Sequence, residues 1–211
     1  MRTEVLVVDP QQPAPEAIAR AVALLRAGEV IAYPTETVYG LGADGLSEAA
    51  VRKVLEAKDR PAEKGIILAV ADAGQVASLV TRLPPTAQRL IERFFPGPLT
   101  LVLPAAEVVP PSVRGPGETV AVRMPAHPVA LALIRAFGRP ITSTSANPSG
   151  APPPRTAEEV LAWLGGRIPL ILDAGATPGG VPSTVVDAAS DPPRVLRAGA
   201  ISEERVRRAL A

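Results

Sequence analysis

Two kinds of apolar pattern alternate along the chain. Short continuous apolar runs predict strands at residues 4–8, 30–33, 66–70, 99–103, 119–123, 140–143, 170–173, 184–187 and 195–197. Between them, apolar positions recurring every three or four residues predict helices at 15–26, 73–80, 85–94, 127–137 and 156–164, with a last helix opening at Ser202. Ile18, Val22 and Leu25 share one face of the first helix, and Gly28 stops it. Ser47 suits an N-cap, with Glu48 in the first turn, for a helix that buries Val51, Val54 and Leu55. Ala130, Leu133, Ile134 and Phe137 form the buried stripe of a helix closed by Gly138, and an Ile201–Val206 staple fixes the entry of the last helix. Strands interleaved with helices, with no internal repeat and no long linker, predict an α/β fold. The expected architecture is a single domain over residues 1–211, an open, twisted, mixed sheet flanked by helices.

Composition removes several chemistries. A hydrophobic content of 47% is enough for a sizeable core. A net charge of +1 gives no global pull toward nucleic acid or a membrane, though a local basic cleft remains open to it. Without cysteine there is no disulfide, no thiolate nucleophile and no cysteine-based zinc site, and the lone His127 excludes a multi-histidine metal site. The first ten residues lack a signal-peptide pattern, and no apolar stretch approaches the roughly 20 residues of a membrane span. A cytoplasmic protein is expected.

No serine sits in a G-x-S-x-G elbow, and neither a P-loop nor a G-x-G-x-x-G motif is present. An enzyme of this composition works by positioning substrates and stabilising charge. Its polar signals collect at strand ends, where open α/β sheets bind ligands. PTETVYGLG at 34–42 is a turn rich in hydroxyls and glycines. Lys58 continues the apolar helix face of Val51 and Val54, which suits either a helix cap or a cation aimed into a cleft at an anion. Arg60, held extended by Pro61, and Lys64 follow closely. Arg123 ends an apolar strand, where its planar guanidinium suits a carboxylate, a phosphate or a structural salt bridge. Ser145 and Asn147 alternate, so extended backbone turns both the same way. Ser183 precedes a strand, and Arg197 precedes a glycine at the end of another. His127, at a helix start, reads as a cap or packing residue more readily than as a base.

Together these segments resemble the YrdC family. The motifs run in the family's order: PTETVYGLG, the K-x-R-P at 58–61, FPGPLTLVLP at 95–104, VAVRMP at 120–125, the S-A-N-x-S-G run at 145–150, PSTVVD at 182–187 and R-x-G at 197–199. Any one is weak; seven in order are specific. The resemblance implies a YrdC-like fold with a basic concave cleft, in the short bacterial form without an additional C-terminal domain. It implies synthesis of L-threonylcarbamoyladenylate from L-threonine, bicarbonate and ATP, with release of pyrophosphate. That product is the first step of N6-threonylcarbamoyladenosine formation at tRNA position 37. Mg²⁺ would accompany ATP, with no protein ligand assigned to it, and a separate tRNA-modifying machinery would take the product. By the same resemblance Thr37, Arg123, Ser145 and Ser183 match threonine-binding positions. Arg60, Lys64, Thr119, Asn147, Arg155 and Arg197 match nucleotide-binding positions, and Lys58 and Arg60 form the catalytic basic pair. Ala69 stands where many members carry a histidine that contacts threonine. An RNA-binding module and a carbamoyl-transfer domain are the alternatives.

Overall fold

The structure is a computed structural model that describes residues 2–59 and 65–210. In chain order the elements are β1 (Glu4–Val7), α1 (Pro15–Arg26), β2 (Ile31–Tyr33), β3 (Gly40–Gly42), α2 (Glu48–Ala57), β4 (Ile67–Ala69), α3 (Ala73–Leu79), α4 (Pro85–Phe94), β5 (Leu99–Pro104), β6 (Thr119–Arg123), α5 (Pro128–Phe137), β7 (Ile141–Thr142), β8 (Thr144–Ser145), α6 (Ala157–Leu164), β9 (Leu170–Asp173), β10 (Thr184–Asp187), β11 (Arg194–Arg197) and α7 (Glu203–Leu210). The local signals act as read from the sequence. Ser47 Oγ accepts from Ala50 N–H at the start of α2, Gly138 closes α5 at φ +78°, and Ile201 and Val206 are both buried at the entry of α7. Helix α6 opens with a capping box, Thr156 and Glu159 satisfying each other's backbone N–H.

The fold is mixed α/β, but its strands divide. Among the described residues one sheet has the order β1-β9-β2-β3-β8 and the other β11-β10-β5-β6-β4-β7. The first is parallel through β1, β9 and β2, then antiparallel. The second alternates, with β10–β5 and β4–β6 parallel and the other pairs antiparallel. The expected strand at 140–143 explains the division, because the chain changes sheets there. Thr142 N–H donates to Ala43 O at 3.0 Å in the first sheet, and Ser143 N–H donates to Ile67 O at 2.7 Å in the second. An isolated bridge between Asp44 and Ile141 adds to the seam.

Two apolar clusters follow from this layout. One gathers Val51, Leu68, Leu90, Leu101 and Val160; the other packs α1 against α5 over Ile31, Tyr33 and Leu170. Tyr33 is fully buried, and its hydroxyl donates to Thr142 O at 3.1 Å, fixing the seam from beneath. Burial pushes that hydroxyl up to about 12, so it stays a donor at neutral pH. The strand above it must be bare: a Cβ on Gly42 would lie 3.0 Å from the Tyr33 ring. No helix among the described residues is long and apolar enough to cross a membrane.

Candidate functional site

A cavity of about 890 Å³ opens where the two sheets meet, a volume ordinary for a small-molecule site. Thr37 and Ser145 reach it from the loop before β3 and from β8, Thr119 and Arg123 from β6, and Ser183 and Arg197 from the β10–β11 pair. Six of the candidates named from the sequence thus share one enclosure.

Its inner wall is built of hydroxyls with defined directions. Thr35 and Thr37 are each 1% exposed, and their hydroxyls lie 2.9 Å apart. Thr35 Oγ1 donates to Val38 O at 2.7 Å, so Thr37 must give its own proton to Thr35. Thr37 therefore offers lone pairs, which suit an ammonium or hydroxyl donor. Ser183 Oγ meets Thr100 Oγ1 at 2.8 Å and accepts from Arg197 at 3.3 Å. The R-x-G motif has a packing reason, since a Cβ on Gly199 would fall 2.4 Å from Pro182 O and 2.5 Å from the backbone of Ser183 and Thr184. Only a glycine lets the chain after Arg197 lie this close to Ser183.

Two guanidiniums line the cavity in different settings. Arg123 is 5% exposed and forms an ion pair with Glu36 Oε1 at 2.7 Å. The contact is poorly directed: among the described residues, both Glu36 oxygens, Nε of Arg123 and the terminal nitrogen in the ion pair itself are buried without a well-aligned hydrogen bond. Arg197 lies at the rim and donates to neutral oxygens, Ser183 O at 2.7 Å and Ser183 Oγ. Burial, and then the like charge of Arg123, draw Arg197 below its ordinary value. His127 lies behind this wall as the N-cap of α5, its Nδ1 accepting from Val129 N–H at 3.2 Å. Burial lowers its pKa, and the negative charge of Glu36 opposes that shift.

Other candidates sit outside the cavity lining. Lys58 is 2% exposed, as its place on the apolar face of α2 requires, and its Nζ donates to Asn147 O at 2.6 Å and to Ser145 O. It closes α2 and braces the 145–147 backbone. Asn147 does not share the direction of Ser145. Its amide donates to Pro148 O at 2.9 Å and Ala151 O at 2.7 Å, serving carbonyls in a loop where successive prolines remove backbone donors. Arg155 is exposed and donates to Thr177 O at 3.2 Å. Ala69 is fully buried beside Arg123 in the β4–β6 pair, with its partner at register Arg123. Arg60 and Lys64 lie outside the described residues. Glu36 was not singled out from the sequence, although a lone carboxylate in a buried hydroxyl-rich turn signals a buried cation partner. Asp187, at the end of PSTVVD, also lines the cavity, and its oxygens accept from Ala189 N–H, Ser190 N–H and Ser190 Oγ.

Fold and site define an α/β protein with a small-molecule-sized cavity walled by hydroxyls, the guanidiniums of Arg123 and Arg197 and the carboxylate of Asp187. The family model described as telomere recombination, which spans Sua5, YciO and YrdC, matches residues 23–199, and the chain belongs to that family. The threonylcarbamoyl-AMP synthase of Bacillus subtilis is 50% identical over 90% of this chain and 55% of its own length. That of Vibrio cholerae is 44% identical over 87% of this chain and 98% of its own length. A crystal structure of P. abyssi Sua5 complexed with L-threonine superposes with a TM-score of 0.95 at 45% identity, over 99% of this chain and 61% of that one. The chain thus spans little more than half the length of the B. subtilis and Pyrococcus abyssi relatives, 55% and 56%.

Proposed function

We propose that this chain is a threonylcarbamoyl-AMP synthase that joins L-threonine, bicarbonate and ATP. The observation that carries the reading is the convergence of buried Arg123 with the hydroxyls of Thr37, Ser145 and Ser183 on one cavity. A guanidinium whose buried Nε–H has no hydrogen-bond partner among the described residues suits a carboxylate, and hydroxyls lining the same space suit an ammonium and a side-chain hydroxyl. Thr119 and Arg197 leave the rim to the nucleotide, with Arg60, Lys64, Asn147 and Arg155 as further nucleotide residues. Lys58 acts at one remove, through the carbonyls of Ser145 and Asn147. The relatives that carry this activity, and the relative solved with L-threonine, support the assignment.

The chemistry needs no protein nucleophile. The threonine amine forms an N–C bond with carbon dioxide derived from bicarbonate and loses a proton to water. A carbamate oxygen then attacks the α-phosphorus of ATP; a P–O bond forms as the bond to the β-phosphate oxygen breaks, and pyrophosphate leaves. Holding the two reactants in line is the main catalytic device, because it turns a meeting of separate molecules into a unimolecular step. Mg²⁺ enters with the triphosphate as part of the substrate and spreads its charge. No group of three or more His, Cys, Asp or Glu able to hold a metal ion occurs among the described residues. The product passes to tRNA-modifying machinery that places the threonylcarbamoyl group on adenosine 37, in the cytoplasm. Pyrophosphate release measured with each substrate omitted in turn tests this. Release should require both L-threonine and bicarbonate; undiminished release without threonine overturns the reading.

A further inference from the structure

On the proposed reading, the cavity must receive two anions of unlike charge: one amino-acid carboxylate and one triphosphate. It offers a guanidinium to each, and the two are prepared differently. Arg123 carries a buried counter-ion, Glu36, at 2.7 Å, with side-chain exposures of 6% and 16%. Among the described residues, Arg197 donates only to the neutral oxygens of Ser183. Burial disfavours the cationic form of His127 and the anionic form of Tyr33, so neither neighbour of Glu36 is favoured to carry a charge beside the ion pair.

We infer that Glu36 is a positioning residue that sorts the two anions, holding the Arg123 guanidinium in place while cancelling its net charge, so that the carboxylate is bound there and the triphosphate is left to the rim. The identity of the two ligands rests on the proposed function. The physical argument is one of scaling. Coulomb attraction grows with ligand charge, so neutralising Arg123 costs a triphosphate of about four negative charges roughly four times what it costs a carboxylate. What survives neutralisation is direction. Nε of Arg123 still carries an N–H with no hydrogen-bond partner among the described residues, which a carboxylate oxygen can take while Glu36 holds the neighbouring terminal nitrogen. Glu36 has few ways to move. It lies between Thr35 and Thr37, whose hydroxyls bond each other, and Thr37 O accepts from Gly180 N–H at 2.8 Å.

Calorimetry with L-threonine and with inorganic tripolyphosphate, alone and in competition, tests this on the full chain. In the wild type, tripolyphosphate should leave threonine affinity within about twofold. Glu36→Gln keeps the shape and loses the charge; it should bind tripolyphosphate about tenfold more tightly and let it displace threonine. Glu36→Asp keeps the charge and loses the close contact; it should weaken threonine while leaving tripolyphosphate as in the wild type. A Glu36→Gln protein whose tripolyphosphate affinity and competition match the wild type overturns the inference. So do equal losses of both ligands in both variants, which would make Glu36 a structural prop. If Glu36→Gln does not fold, the double variant Glu36→Gln/Arg123→Gln removes both buried charges. It should lose threonine yet bind tripolyphosphate normally, and loss of tripolyphosphate there would assign Arg123 to the phosphates and overturn the sorting. A wild type that binds no threonine removes the proposed function; the change in tripolyphosphate affinity on removing the Glu36 charge still tests the electrostatic claim.

Discussion

The wall of the cavity made by residues 35–39 and 143–147 differs from the wall made by β10 and β11. The first is closed. Thr35, Thr37 and Tyr39 are buried, their neighbours are tied across the seam between sheets, and Lys58 braces the 145–147 turn from behind. The second is open. β11 is an edge strand, Leu196 is 59% exposed, and Arg197 stands at the rim. A buried wall whose backbone is tied in place loses little freedom when a small rigid ligand enters, whereas an open edge suits a larger and more flexible one. The difference fits the function proposed above, in which the amino acid would be read by fixed geometry and the nucleotide held mainly by charge.

The sharpest break of that comparison is a charge-preserving change in Arg123, the β6 residue that pairs with Glu36 of the closed wall. Arg123→Lys keeps the cation but loses the planar fork, so threonine affinity should fall on the order of 100-fold while ATP affinity stays within about threefold. Calorimetry of each ligand decides it. Equal losses would mean that the closed wall is not selective, and a loss confined to ATP would reverse the assignment of the two walls.

Lys58 comes next, because its effect should appear in stability before it appears in chemistry. Lys58→Met keeps the aliphatic bulk and leaves the carbonyls of Ser145 and Asn147 without their ammonium donor. Unfolding in urea should show a loss of about 1–3 kcal/mol, the cost of leaving Asn147 O unpaired, since Ser145 O keeps the Asn147 N–H at 3.0 Å. Unchanged stability with lost activity would instead make Lys58 a ligand-facing cation. In the open wall the effect should be smaller. Arg197→Gln should weaken ATP about fivefold to tenfold, an effect that fades in high salt because the group is exposed. A salt-independent loss would argue that the rim closes over the nucleotide.

Much of this organisation is legible in the sequence, and the rest fails for a physical reason. The phase of α2 puts Lys58 on the buried face with Val51 and Val54, so its burial follows from spacing. Its partners do not, because they lie 87 and 89 residues further on. Arg123, Ser183 and Arg197 stand at or beside strand ends, where a ligand site in an α/β fold is expected, and all line the cavity. Glu36 escapes notice because its turn gives away its burial only once the sheets are assembled and Arg123 is brought beside it. The division into two sheets is hidden for a similar reason. β3 is a Gly-Leu-Gly run and β8 only Thr144–Ser145, so neither carries a periodicity; β3 exists through pairing with β2 and β8, and β8 through pairing with β3.

The smallest effect concerns His127, which supports the closed wall from outside the cavity. Its pKa is lowered in the folded protein by burial, against an ordinary value near 6.5. As the pH falls below that value, the unfolded chain takes up a proton before the folded one does, so folding loses stability. The contribution is complete above the unfolded value and is lost as the pH falls through the depressed folded one. Protonation also removes the Nδ1 lone pair that accepts from Val129 N–H, so the cap on α5 is lost with it. His127→Asn keeps a side-chain acceptor at the N-cap and does not titrate. Urea unfolding at about pH 7.5 and about pH 5.5 should show a wild-type loss that exceeds the variant's by up to about 1 kcal/mol, the usual worth of an N-cap. Parallel pH profiles for the two proteins would show that the cap survives protonation and that the closed wall does not depend on the neutral imidazole.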